Sequence, residues 1–206
     1  GGVLSRDKIL RAWMKGNPGI RVPGAWDGFE LCVRAVLGQQ VSVKAATTFA
    51  GRIAERYGEP VSVVIDDLAD APVQLFPTPE QLKRARLENL GIIRSRAQTI
   101  RDIARVASSG ELNFGADQSV DEFRSILTSI KGVGDWTAEY VAMRALKNPD
   151  AFPASDLGLL RAFDARDLGD GRRLRPAELA ARAEAWRPWR AYAALLIWGS
   201  DSGAGG

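Results

Sequence analysis

Apolar side chains recur at helical spacing through almost the whole chain, and Gly or Pro punctuates each run. Trp26, Phe29, Val33, Val36 and Leu37 form one such stripe, which stops at Gly38. Ser42 is placed to cap a second helix through about Tyr57, closed by Gly58. Thr78 and Pro79 open a third, which runs to Leu90 and meets Gly91. A fourth covers Ser95 to about Ala107, with Ile100, Ile103, Ala104 and Ala107 on one face. Ser119 to Glu122 reads as a capping box ahead of the stripe Phe123, Ile126, Leu127 and Ile130. Further helices are expected from Trp136, over Leu159–Phe163, over Pro176–Trp186 and over Pro188–Trp198. Val61 to Ile65 has a strand-like composition but no segment nearby to pair with, and is read as irregular. The expected fold class is all-α, one unit over 1–206 built as two helical lobes.

Composition narrows the chemistry. Among 206 residues there is no His, which removes the commonest general base, the Ser/His and Cys/His nucleophile pairs and most zinc sites. The single cysteine, Cys32, excludes an intramolecular disulfide and a cysteine-ligated iron–sulfur cluster. Catalysis by such a chain must rest on carboxylates, Lys, hydroxyls or Tyr. The balance of 28 basic against 25 acidic residues, +3, permits a phosphate-rich partner without establishing one. No apolar run approaches the roughly 20 residues of a transmembrane helix, and no N-terminal stretch is organised as a signal peptide.

The segment 119–163 carries the most information. Between two amphipathic helices the chain reads Ile130-Lys131-Gly132-Val133-Gly134-Asp135-Trp136. Two glycines one residue apart allow a tight turn and leave their amides uncovered. Those amides, with the first-turn amides of the helix at Trp136, make a site suited to a phosphate, to which Lys131 and Arg144 can add charge. A plain helix–helix connection accounts for the same glycines. About twenty residues further on, Asp156 follows the loop Ala151-Phe152-Pro153-Ala154-Ser155 and precedes an apolar helix. At a helix N-terminus the dipole favours the ionised carboxylate, although most Asp residues in such a position are simply N-caps.

A hairpin, a Trp136-Thr137-Ala138 helix and a Pro-containing turn with Asp156 together resemble the helix–hairpin–helix DNA glycosylase superfamily. The similarity is to its alkylpurine branch, the 3-methyladenine glycosylase II type of bacteria. It extends over most of the chain: Val22-Pro23-Gly24, Phe29-Glu30, Val33-Arg34-Ala35, Leu37-Gly38-Gln39-Gln40-Val41-Ser42-Val43, Phe76-Pro77-Thr78-Pro79, and Arg187 to Ala193 with Ile197-Trp198. Six motifs in the family's order are far more specific than any one of them.

The resemblance implies that Asp156 is the catalytic carboxylate. It implies that Trp136, Tyr140 and Trp198 line a base pocket, although core packing is the commoner use of such aromatics. It places Gln40 where the family inserts a wedge into the space left by a flipped nucleotide; Gln40 also fits a solvated loop. Lys131, Gly132, Val133 and Gly134 match the hairpin that holds DNA, and the carbonyls of Thr128, Ile130 and Gly132 match a site for a monovalent cation, Na+ or K+. No cofactor is required and no iron–sulfur cluster is expected.

The implied reaction is excision of alkylated purines such as 3-methyladenine or 7-methylguanine from double-stranded DNA, by a monomer in the bacterial cytoplasm. N-alkylation makes the base a cationic leaving group, so one carboxylate and no general acid suffices. Stacking on Trp and Tyr compensates the flipped base, and cation–π attraction of about 0.5–2 kcal/mol per ring favours the cation. Bifunctional members carry a Lys where this chain has Trp136, so no lyase activity is expected. Nothing before residue 22 resembles the N-terminal β domain of close relatives, and a chain without that domain is expected. Two alternatives remain open at this point: a non-catalytic hairpin module that only grips DNA, and a superfamily glycosylase with another damaged-base preference.

Overall fold

Helices make up nearly all of the regular structure, as the 3.6-residue pattern requires. The computed structural model describes residues 2–61, 74–115, 118–167 and 174–201. Within them there is no strand, only an isolated antiparallel bridge between Pro60 and Gln74; Ser62 to Ile65, part of the strand-like run, lie outside the described residues. No helix among the described residues is long and apolar enough to cross a membrane. The chain divides into two compact units, residues 27–134 and residues 1–26 with 135–206.

In chain order the α-helices are α1 (Lys8–Gly16), α2 (Gly28–Leu37), α3 (Val43–Tyr57), α4 (Pro79–Leu82), α5 (Arg94–Ser109), α6 (Val120–Ser129), α7 (Asp135–Arg144), α8 (Leu157–Asp167), α9 (Pro176–Ala183) and α10 (Arg190–Asp201). Helices α2 to α6 belong to the 27–134 unit, and α1 with α7 to α10 to the other.

In the 27–134 unit α5 packs against α2 and α4, and α3 lies on α2. Cys32, Val33, Val36, Leu37, Ile53, Leu82, Leu87, Ile100, Ile103, Phe123 and Leu127 are buried. Burial without a charged partner pushes the Cys32 thiol up to about 12, so it is no nucleophile. Asp27 caps α2 by accepting from Glu30 N (2.6 Å) and Ser42 caps α3 by accepting from Ala45 N. Thr78 and Gln81 close a capping box around Pro79.

Three expectations fail here. Trp26 does not join the α2 stripe; the helix starts only after the Asp27 cap, and Trp26 is fully exposed. The helix from Pro79 does not run to Leu90: α4 ends at Leu82, and a 3-10 turn over Leu87–Leu90 follows, closed by Gly91 at φ 82°. Leu82, Ala85 and Leu87 are all buried, a 3-then-2 spacing that leaves the helical stripe, and Arg86 N donates to Tyr57 Oη instead of to a helical carbonyl. Ser119 caps α6 through its carbonyl, which accepts from Phe123 N, and its side chain makes no capping bond.

In the other unit α10 packs against α8 and α1. Leu10, Trp13, Phe152, Leu159, Phe163, Leu179, Trp186, Ala193, Ala194 and Ile197 fill the core. Helix α1 has a clear start signal in Asp7 that the stripe reading, which begins at Trp26, leaves out. Helix α10 starts at Arg190, two residues later than expected, where Arg190 binds the Asp150 carboxylate (2.9 and 3.0 Å). Asp7 ties the start of α1 to α9 and the turn that follows it: it accepts from Ile9 N (2.9 Å), Leu10 N (3.3 Å), Trp186 Nε1 (3.1 Å) and Arg182 Nη2 (3.2 Å). Burial raises its pKa, but these donors outweigh burial and hold it below the ordinary 3.8.

The Asp7→Ala variant should lose about 1–2 kcal/mol at neutral pH, read by urea unfolding. A depressed carboxyl stabilises the fold above its unfolded pKa, and that contribution disappears as pH falls through the folded value. The gap between wild type and variant should therefore be full above about pH 4 and shrink below it. A gap that widens on acidification would contradict this role.

Candidate functional site

Asp156 stands at the N-cap of α8, where its carbonyl accepts from Leu160 N (3.0 Å) and its Oδ1 from Leu159 N (3.0 Å). The bland reading of this residue is thus correct as far as it goes. Two further donors reach the same carboxylate. Trp136 Nε1 donates to Oδ2 and Trp198 Nε1 to Oδ1, both at 2.8 Å. Among the described residues no Lys or Arg forms an ion pair with it. Among the described residues the half-buried carboxylate is held by neutral donors, and none of them cancels its charge toward a ligand.

The loop before Asp156 is fixed at several points. Asp150 binds Arg187 and Arg190, and Ala191 N donates to the Pro149 carbonyl (2.9 Å). Phe152 is buried edge-on against Trp186 (5.7 Å), and its amide donates to Glu139 Oε2 (2.8 Å). Asp156 N then donates to the Pro153 carbonyl (2.9 Å), which sets the turn into α8.

The three aromatics are brought together around this carboxylate by two helices. Trp136 and Tyr140, four residues apart on α7, stack with ring centroids 5.2 Å apart and planes 6° from parallel. Tyr140 Oη accepts from Arg144 Nη1 (3.0 Å), so its own hydroxyl proton remains to be donated elsewhere. Trp136, Tyr140 and Trp198 are each half-buried, with ring surface left to a ligand. The sequence indicated these rings but not their use as donors to Asp156. The available signal was chemical: an indole is a donor only, and a partly buried one seeks an acceptor.

The hairpin belongs to the 27–134 unit and is described there by itself. Its two glycines are needed for different reasons. Gly132 has φ +95°, and a Cβ there would lie 2.3 Å from Thr99 Oγ1, which donates to the Lys131 carbonyl. Gly134 has open space where a Cβ would go. Val133, grouped with the DNA-binding residues in the sequence, is buried, and its amide already donates to the Ile130 carbonyl (3.0 Å); it anchors the turn. Lys131 is exposed. Gln39 Nε2 donates to the Gly132 carbonyl (3.1 Å), and Arg96 Nη2 donates to the Gln39 carbonyl (2.5 Å), bonds that the sequence did not suggest. Gln40 follows with φ +56°, exposed and in a backbone conformation uncommon for a residue with a side chain. Of the carbonyls matched to a cation, Ile130 and Gly132 each accept one hydrogen bond, and Thr128 is exposed.

Comparison with known proteins places this geometry among DNA repair enzymes. Over 95% of its length the chain is 44% identical to a Mycobacterium tuberculosis protein described as "Probable bifunctional transcriptional activator/DNA repair enzyme AlkA", and it spans 38% of that protein. It is 37% identical to DNA-3-methyladenine glycosylase 2 of Escherichia coli over 88% of the chain and 61% of that protein. The chain thus spans less than two thirds of both relatives. Among solved structures, 3-methyladenine DNA glycosylase from Archaeoglobus fulgidus superposes with a TM-score of 0.77 at 28% identity, covering 98% of this chain and 68% of that one. Residues 33–191, which hold the hairpin, both Trp136 and Tyr140 on α7, and Asp156, match the HhH-GPD superfamily base excision DNA repair protein family, and the chain belongs to that family.

Proposed function

We infer that this chain acts as a monofunctional DNA glycosylase, which flips alkylated purines out of double-stranded DNA and excises them by hydrolysis. The observation that carries the reading is the Asp156 carboxylate held by the Trp136 and Trp198 indoles. A cap needs one lone pair; these bonds use three of the roughly four that a carboxylate offers. The remaining one, on Oδ2, is left to orient a water, while the charge opposes the positive charge that develops on the sugar as the glycosidic bond breaks. A base already made cationic by alkylation leaves without a general acid, in keeping with a chain that has no His. The rings of Trp136 and Tyr140 offer a stacking platform that favours such a cation.

Gly132 and Gly134 position the DNA backbone, with Lys131 adding charge, and exposed Gln40 fills the space left by the flipped base. The carbonyls of Thr128, Ile130 and Gly132 are neutral oxygen donors, and those of Ile130 and Gly132 each retain a lone pair, so the set fits Na+ or K+. A monomer acting in the bacterial cytoplasm, without any cofactor beyond that ion, completes the reading.

With methylated duplex DNA the protein should release 3-methyladenine or 7-methylguanine, and Asp156→Asn should slow release by about 10²–10³-fold while duplex binding persists. The abasic product should stay uncleaved until alkali is added, and borohydride should trap no covalent complex, because position 136 holds a tryptophan. Binding without release by the unaltered chain would leave only a DNA-gripping module.

The hairpin gives a paired test. Gly134→Val should keep the melting temperature and weaken duplex binding for all sequences alike. Gly132→Ala should lower the melting temperature as well, since Thr99 stands in the way. Unchanged affinity in Gly134→Val would take the hairpin out of the interface, and equal affinity in potassium chloride and in choline chloride would remove the cation.

A further inference from the structure

Gly158 is the second residue of α8, and its backbone has no need of glycine: its φ lies outside the left-handed range. Alanine is the better helix former at such a position. What the missing side chain provides is space. A Cβ on Gly158 would lie 3.1 Å from Asp156 Oδ1, 3.4 Å from Trp198 Cδ1 and 3.5 Å from Trp198 Nε1. The first distance is shorter than nine in ten real Cβ contacts, and it falls on the oxygen that accepts from both Trp198 Nε1 and Leu159 N.

We propose that Gly158 is a positioning residue for the reaction, keeping clear the volume in which Asp156 meets its two indoles. The proposal rests on the reading of Asp156 as the catalytic carboxylate. The carboxylate has little room to yield. Trp136 holds Oδ2 at 2.8 Å, so moving Oδ1 away from a new methyl group turns the whole carboxylate and lengthens its bonds to Trp198 or Leu159. Trp198 has little freedom either, because its neighbours Leu196 and Ile197 are buried in the core of the same unit. A displacement of a few tenths of an ångström at the reacting carboxylate therefore follows from one methyl group added to the helix behind it.

The test is Gly158→Ala, with Gly51→Ala as its control. Gly51 lies on the exposed face of α3, and a Cβ there would meet nothing within 4 Å, so the control gains helix propensity and touches no neighbour. For both variants we would measure the melting temperature, the Kd for duplex DNA, the single-turnover rate on methylated duplex, and the indole N–H resonance of Trp198 assigned with Trp198→Phe.

Gly158→Ala should melt no lower than wild type and bind duplex equally, yet excise about tenfold more slowly or worse, with the Trp198 indole resonance displaced. Gly51→Ala should match wild type in rate and resonance. A Gly158→Ala rate within twofold of wild type, or an unmoved Trp198 resonance, overturns the proposal. If the wild-type chain excises no alkylated base, the catalytic reading fails instead, and the resonance still decides whether Gly158 sets the Asp156–Trp198 geometry.

Discussion

A carboxylate drawn partly out of water, with no ion pair among the described residues, must be met by hydrogen-bond donors, and the placing of Trp136, Trp198 and the start of α8 answers that need. Asp156 receives one helix amide and two indoles. Each donor comes from a different helix: Leu159 from α8, Trp136 from α7 and Trp198 from α10. The three helices are thereby tied at one point. Asp7 shows the same device completed differently. It too caps a helix and accepts an indole proton, from Trp186, but Arg182 neutralises it. An N-cap aspartate with a paired cation is a structural joint, whereas one met only by neutral donors retains charge that chemistry can use.

Much of this was legible in the sequence, for physical reasons that differ from residue to residue. The ends of α2 and α3 and the start of α4 were readable because Gly38, Ser42, Gly58, Thr78 and Pro79 act locally, through caps and fixed dihedrals. The four-residue spacing of Trp136 and Tyr140 already places both rings on one helix face. What failed depended on partners distant in the chain. The break after Leu82 is set by Tyr57 and by where Leu87 finds burial. The indole bonds to Asp156 bridge 20 and 42 residues, and no local pattern encodes them. Ser119 has every local feature of a capping box, yet on an exposed helix end solvent competes for the same amides.

The hairpin shows how one residue type serves two constraints within a single turn. Gly132 is required by the turn itself, since its φ of +95° and the nearby Thr99 exclude a side chain. No such constraint acts on Gly134, so its lack of a side chain keeps a surface bare instead of permitting a fold. The sequence makes these two glycines look equivalent. Only the packing distinguishes the one that shapes the loop from the one that leaves its amide approachable.

The same distinction separates folding from function at the start of α8. A chain under pressure for helix stability alone has reason to place alanine at position 158 and a basic partner beside Asp156, as it does beside Asp7. Both changes would act on the carboxylate: the first by crowding Oδ1, the second by cancelling its charge. If Asp156 acts as proposed, a weaker helix start and a carboxylate with no ion pair among the described residues belong together. Each gives up local stability, and what they preserve in common is the position and charge of two oxygen atoms.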